Sequence, residues 1–222
     1  MLRSQFEQQL TKLHHQFYNM GNQVSEAINK AVASFIDHDH KLAQEVIDHD
    51  FDINELEIKL EKKSFELIAL QQPVTTDLRV IITIMKASGD LEHMGDHAVS
   101  IAKSTIKVKG EARILKIENE ISKMSMQVKR MMEAVLTAYI EHDAKRAEEI
   151  SKWDKVVNDY YDSIYEHSIH EMQENPKTII SGNDYLKVAG FLERIGDYVT
   201  NICEWIVYLQ TGRIAELSST DD

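Results

Sequence analysis

One hydrophobic stripe is written twice in this chain, 104 residues apart, and the repetition restricts the fold more than any single motif does. The first copy runs Leu10, Leu13, Phe17, Met20, Val24, Ile28, Ala31, Phe35. The second runs Ile114, Ile117, Ile121, Met124, Val128, Met132, Val135, Tyr139 in the same register. Steps of three and four mark one face of a long amphipathic helix. The offset continues from "FIDHDHKLAQEVIDHD" (35–50) onto "YIEHDAKRAEEISKWD" (139–154), then falls to 101, where "ASGDLEHMGDHAVSI" (87–101) meets "VAGFLERIGDYVTNI" (188–202). A repeat of about a hundred residues is therefore built in.

Each copy is predicted to hold three helical segments, at about 4–36, 40–71 and 75–106, then 112–140, 144–174 and 182–211. With only two prolines, Pro73 and Pro176, and eight glycines, little interrupts them. Asp39 and Asp143 are expected N-caps of the middle segments, and Ser181 with Asp184 resembles a capping box. The expected fold is all-α: two tandem three-helix bundles, residues 1–108 and 109–222. Short connections make neighbouring helices antiparallel.

The formal charge of −12 opposes contact with nucleic acid or an anionic membrane. A single cysteine, Cys203, provides no internal disulfide and is expected in the core. The N-terminal segment has no apolar signal core, and no apolar run reaches membrane-spanning length. A cytoplasmic protein without membrane insertion is expected.

The stripes contain acids where apolar residues belong. The second segment reads Val46, Asp50, Ile53, Glu57, Leu60, Ser64, Leu67, and the third Leu78, Ile81, Met85, Gly89, Glu92, Asp96, Val99. Asp154 interrupts Ala147, Ile150, Val157, Tyr161 and Ile164, and Glu193 with Asp197 interrupts the last segment. Asn54 and Asn158, four residues after the leading Asp, add an amide oxygen; Asn201 extends the set. Glu57 has Tyr161 as its counterpart. Glutamate and aspartate four apart are common on solvated helices, but recurrence in register is not. Facing carboxylates require a counter-ion. His93 and Arg194 follow the glutamates by one residue and are expected to point away, leaving a metal held by oxygen ligands: iron, manganese, magnesium or, less neatly, zinc. Gly89, Gly95, Gly190 and Gly196, each costly inside a helix, are expected at close approaches of a neighbour.

Other sites are weaker. His38, His40 and His49 lie near acids in "DHDH" (37–40) and "DHDF" (48–51), and the first of these is expected to be a solvated helix junction. His97, replaced by Tyr198 in the second copy, is not essential to a duplicated site. There is no nucleophile triad, phosphate loop or paired-cysteine motif.

"DLEHMGDHAVSIA" (90–102), "FLERIGDYVTNICE" (191–204), "LQQPVTTDLRVI" (70–81) and "YLQTG" (208–212) together resemble the PhoU family of phosphate-signalling regulators, along essentially the whole chain. The resemblance implies two three-helix bundles about a pseudo-twofold axis. It also implies a multinuclear iron or zinc cluster in each half, at Asp50 with Asn54, Glu92 with Asp96, Asp154 with Asn158, and Glu193 with Asp197. Asparagine at two second places leaves fewer anionic ligands than the family pattern.

The implied role is a non-enzymatic negative regulator of phosphate uptake and phosphate-starvation signalling. Its implied partners are the phosphate ABC transporter's ATPase and a sensor histidine kinase, with a homodimer expected and peripheral membrane association only through the transporter. The competing reading is a metal-dependent oxidase or phosphohydrolase using the same carboxylates, for which Arg79 and Arg194 are the candidate phosphate-gripping residues.

Overall fold

The computed structural model describes residues 2–108 and 112–217, with side chains from residue 5 onward, so the expected division at 108/109 lies at the edge of the described residues. The chain is helical almost throughout. In the first half α1 (Leu2–Asp37), α2 (His40–Asp48), α3 (Asp50–Gln71) and α4 (Thr75–Lys107) follow one another. In the second, α5 (Leu115–Glu141), α6 (Ala144–Ser151), α7 (Asp154–Glu174) and α8 (Ile179–Thr211) repeat the order, with a 3₁₀ turn at Pro176–Thr178 before α8.

The duplicated stripes are the core. Leu13, Phe17, Met20, Val24, Ile28, Ala31 and Phe35 are buried, as are Ile114, Ile117, Ile121, Met124, Val128, Met132, Val135 and Tyr139. Removing such side chains from water stabilises each by about 1.5–3 kcal/mol, which holds α1 and α5 in place. α4 and α8 run between the halves, packed on each other; α1 and α3 cover α4, and α5 and α7 cover α8. Two three-helix bundles thus share a central α4–α8 interface.

Local chemistry sets the joints. After α1 and α5 the chain turns through a left-handed residue, His38 (φ 55) and His142 (φ 53). The next amide closes a six-residue loop, Asp39 N–H to the Ser34 carbonyl at 2.9 Å and Asp143 N–H to the Ala138 carbonyl at 3.0 Å. The same aspartates cap α2 and α6: Asp39 accepts from the amides of Lys41 and Leu42, and Asp143 from that of Arg146. Both expected caps form. The Ser181–Asp184 box does not, because α8 starts earlier, at Ile179; Ser181 donates to the Thr178 carbonyl and Asp184 accepts from Lys187.

The middle segments are not continuous either. Each breaks one or two residues ahead of its acid, at His49 and at Lys152–Trp153. His49 Nδ1 lies 2.7 Å from the Glu45 carbonyl. The guanidinium groups of Arg130 and Arg146 lie over the Trp153 ring, 4.4 and 5.1 Å from its centre. Among the described residues no helix is long and apolar enough to cross a membrane.

Where the halves meet, buried polar groups fasten them. Glu118 of α5, 3 % exposed, accepts from Arg113 (2.5–3.1 Å) and from the Tyr185 hydroxyl (2.8 Å), and lies 3.3 Å from His38. His38 is therefore a half-buried partner, not the solvated residue expected from its "DHDH" setting. At the other end His14 Nδ1 lies 2.5 Å from the Tyr139 hydroxyl, and its ring packs edge-on against His142 at 5.8 Å.

Candidate metal centre

α3 and α4 form one acidic seam, α7 and α8 the other. The leading acid begins its helix in both: Asp50 opens α3 and Asp154 opens α7. Asp50 is half-buried and Asp154 buried, only 8 % exposed. Glu92 and Glu193 are half-buried, and Asp96 and Asp197 stand at the exposed rim. Four-residue spacing keeps each Glu–Asp pair on one helical face, as the sequence indicates.

The amide side chains complete the seams. Oδ1 of Asp50, Asn54, Asp154 and Asn158 is in each case buried without a hydrogen-bond donor. Asn158 turns its amide nitrogen to Asp154 Oδ2 at 3.0 Å, which leaves its oxygen free. Buried oxygens without donors cost about 1–3 kcal/mol each. Repeated at equivalent positions in both halves, they point to an acceptor of lone pairs, as a hard cation is.

Electrostatics agree. Burial, then the charge of Asp197, pushes Asp154 up to about 6. Burial followed by Asp96 raises both Asp50 and Glu92, and burial followed by Asp197 and Asp154 raises Glu193. Burial also raises Asp197, against the opposing pull of Arg194. Glu57, half-buried, is raised by burial and then by Glu61. Burial first, and then neighbouring acids at Asp50, Glu92, Asp154 and Glu193, disfavour the charged form of these groups, an effect a cation would offset.

The two histidine and arginine positions differ from expectation. His93 does not point away: its Nδ1 is 2.9 Å from Glu92 Oε2, and ligand atoms of Glu92, His93 and Asp96 lie within 4.8 Å of one another. Arg194 also turns to its seam, lining a cleft of about 540 Å³ with Asp154, Glu193, Asp197, Tyr198, Thr200 and Asn201. Long side chains at the edge of a helix face swing toward the charge they can reach, which a strict wheel misses. Asn201 faces this cleft, yet its amide donates to Asp90 Oδ1 of the other half at 3.3 Å. Asp90, raised to about 6 by burial against hydrogen bonds from Asn201 and Trp205, went unnoticed in the sequence. Its counterpart, Phe191, breaks the repeat there, and that mismatch was the available signal. Arg79 sits far from this chemistry, against Gly212 at the end of α8.

The glycines divide. A Cβ on Gly196 would lie 2.6 Å from Asp154 Oδ1, and one on Gly95 would lie 3.3 Å from Ile53. Gly89 has nothing within 4 Å and Gly190 only Tyr161 at 3.8 Å, so close approach explains one glycine of each phrase. His97 stacks on Phe191 at 5.6 Å and packs on Tyr198 at 5.8 Å, between the two seams. Cys203 is a buried core residue whose thiol burial pushes up to about 12.

A duplicated helical bundle with an acid seam in each half defines the class, and comparison gives the family. The PhoU domain model matches residues 17–105 and 121–206, and the chain belongs to that family. It is 35% identical to the phosphate-specific transport system accessory protein PhoU homolog of Streptococcus pneumoniae, over 98% of this chain and 100% of that one. Against the homolog from Pseudomonas aeruginosa it is 32% identical, over 95% of this chain and 87% of that one. The crystal structure of the regulatory protein PhoU from Streptococcus pneumoniae superposes with a TM-score of 0.90 at 33% identity, covering 95% of this chain and 99% of that one. That of Pseudomonas aeruginosa PhoU gives 0.89 at 32% identity, covering 94% and 100%.

Proposed function

We propose that this chain is an accessory regulator of phosphate transport that represses high-affinity phosphate uptake and phosphate-starvation signalling by protein contact. Its partners on this reading are the ATPase of the phosphate ABC transporter and a sensor histidine kinase. It works without catalysis, as a cytoplasmic homodimer. The names of its relatives support the phosphate-transport role. A partner also needs an uncovered apolar face, and α3 has one. Phe51, Ile58 and Phe65 are 55–68 % exposed along one ridge, where α7 carries Lys155, Asp162 and Ile169.

The observation that carries the metal part is the set of donor-less buried oxygens facing acids in both halves. Asp50, Asn54, Glu57, Glu92 and Asp96 would hold a cation in the first seam, and Asp154, Asn158, Glu193 and Asp197 in the second, with Asn201 at its rim. When bound, the metal supplies positive charge that ties α3 to α4 and α7 to α8. The residues themselves fix the geometry: asparagine oxygens at the floor, carboxylates at the walls, glycine where a side chain would intrude.

Metal content by mass spectrometry on protein purified without chelators tests this reading. Stoichiometric iron, zinc, manganese or magnesium, lost in an Asp96→Ala/Asp197→Ala double variant, is expected. Well-folded protein free of metal would refute the metal part. The regulatory part is refuted if deleting the chain from its host leaves phosphate uptake in phosphate-rich medium unchanged.

A further inference from the structure

We propose that the two seams are unequal cation sites, the first completed by the His93 imidazole and the second held weak by the Arg194 guanidinium. This rests on the metal reading above and goes beyond it, because the duplication alone makes the sites equivalent.

Two substitutions separate the halves. At the 101-residue offset His93 corresponds to Arg194, and at the 104-residue offset Glu57 corresponds to Tyr161. The first seam therefore offers the carboxylates of Asp50, Glu57, Glu92 and Asp96, four negative charges when ionised, of which the exposed Lys103 beside Asp50 offsets one, plus a nitrogen donor. The second offers three, Asp154, Glu193 and Asp197, and Arg194 subtracts one, leaving two. An imidazole gives up its proton and donates a lone pair; a guanidinium keeps its charge and has none to give. The same position thus adds a ligand in one half and a repelling charge in the other.

Geometry follows the chemistry. In the first seam the atoms of Glu92, His93 and Asp96 already converge within 4.8 Å. In the second the acids stand around an open cleft of about 540 Å³ that Arg194 shares. That cleft is nonetheless shaped for a ligand, because Asp154 is 8 % exposed with a donor-less Oδ1. Glycine at 196 leaves room for that oxygen, which lies 2.6 Å from where a Cβ would sit.

The inequality depends on the ion. Nitrogen ligation favours zinc and cobalt over magnesium, so the first seam should gain most with the former. Full-length protein stripped of metal is titrated with Zn²⁺ by calorimetry and with Co²⁺ by visible absorption. His93→Arg and Arg194→His are run alongside; both positions are exposed, and circular dichroism checks their folding. Two classes of site are expected, separated by about tenfold or more in affinity, the scale on which groups beside a metal tune it. His93→Arg should narrow the gap to what Glu57 contributes and alter the Co²⁺ bands of the tight class. Arg194→His should tighten the weak class by a similar factor. Equal sites in the unaltered protein, or Co²⁺ bands indifferent to His93→Arg while metal still binds, overturn the proposal and leave the metal reading standing. Binding at neither seam, in any of the three proteins, overturns both.

Discussion

The halves close on each other through two fastenings that occupy the same positions in the duplication and share almost no chemistry. Glu118 is the counterpart of His14, and His38 of His142, each at the 104-residue offset. One fastening is a carboxylate gripped by Arg113, Tyr185 and His38; the other is His14 between the Tyr139 hydroxyl and the His142 ring. Burial pushes Glu118 up, but hydrogen bonds from Arg113, Tyr185 and His38 outweigh it and hold its carboxyl below the usual range. Burial, then His142, lowers His14 to about 4, with no acid to compensate. A repeated backbone therefore fixes where a contact falls, and one residue decides whether it is an ion pair or a neutral bond.

The largest effect expected from breaking this comparison is at Glu118. Glu118→Ala removes the shared acceptor of three donors and should cost about 3 kcal/mol in urea denaturation. His14→Leu at neutral pH should cost less, about 1 kcal/mol, since one neutral hydrogen bond is lost. Equal losses would mean that the two fastenings are energetically alike despite their chemistry.

Acid sharpens the contrast. The folded pKa of His14 lies below its unfolded value of 6.5, so protonation favours the unfolded chain. The contribution of His14 is complete above pH 6.5 and lost as pH falls toward 4. Allowing for its partial exposure, the loss is about 2 kcal/mol. Glu118, lowered from 4.5, keeps its contribution until pH falls below that value. The stability of the unaltered protein relative to His14→Gln should therefore fall by that amount from pH 7 to 4, turning a small advantage into a deficit. A pH-independent difference would show that His14 does not titrate on unfolding.

Asp154 runs the opposite way. Its folded pKa of about 6 exceeds the ordinary 3.8, so its ionised form opposes folding above pH 6, and stability returns as pH falls through 6 toward 4. In metal-free protein Asp154→Asn should add about 1–2 kcal/mol at pH 7.5 and nothing at pH 4. Asp50→Asn should add less, because Asp50 is more exposed. Thermal unfolding after chelation decides it, and a larger gain at Asp50 would show that burial does not set the order of the two acids.

The smallest effect separates the paired glycines. Gly95→Ala gains about 1 kcal/mol of helix propensity against a contact that Ile53 can ease, and should be near neutral. Gly196→Ala must displace Asp154 Oδ1 and should come out about 1 kcal/mol worse. Equal values by chemical denaturation would show that the carboxylate moves freely.

Much of this was legible beforehand. The stripes gave α1, α5 and the core because their period is helical, and the acids within them gave both seams. Asp39 and Asp143 declared themselves as caps by preceding an apolar run. The breaks at His49 and Trp153 were hidden because the three-and-four spacing runs through them without glycine or proline. Glu118 looks like any surface acid until the fold brings Tyr185, 67 residues away in sequence, to within 2.8 Å. His93 and Arg194 depart from the helical wheel for a related reason: polar side chains at the edge of a face follow charge.

The interruption of each middle segment has a mechanical consequence. α3 is a rod of 22 residues, about 33 Å long at 1.5 Å per residue, and Asp50 sits at its first residue. A tilt of about 5° about that end would swing the Gln72–Val74 end by about 3 Å and hardly move the carboxylate. Asp154 holds the same place on α7. Each leading acid stands at the pivot of its lever, where the far end can be pushed without losing the register of the site.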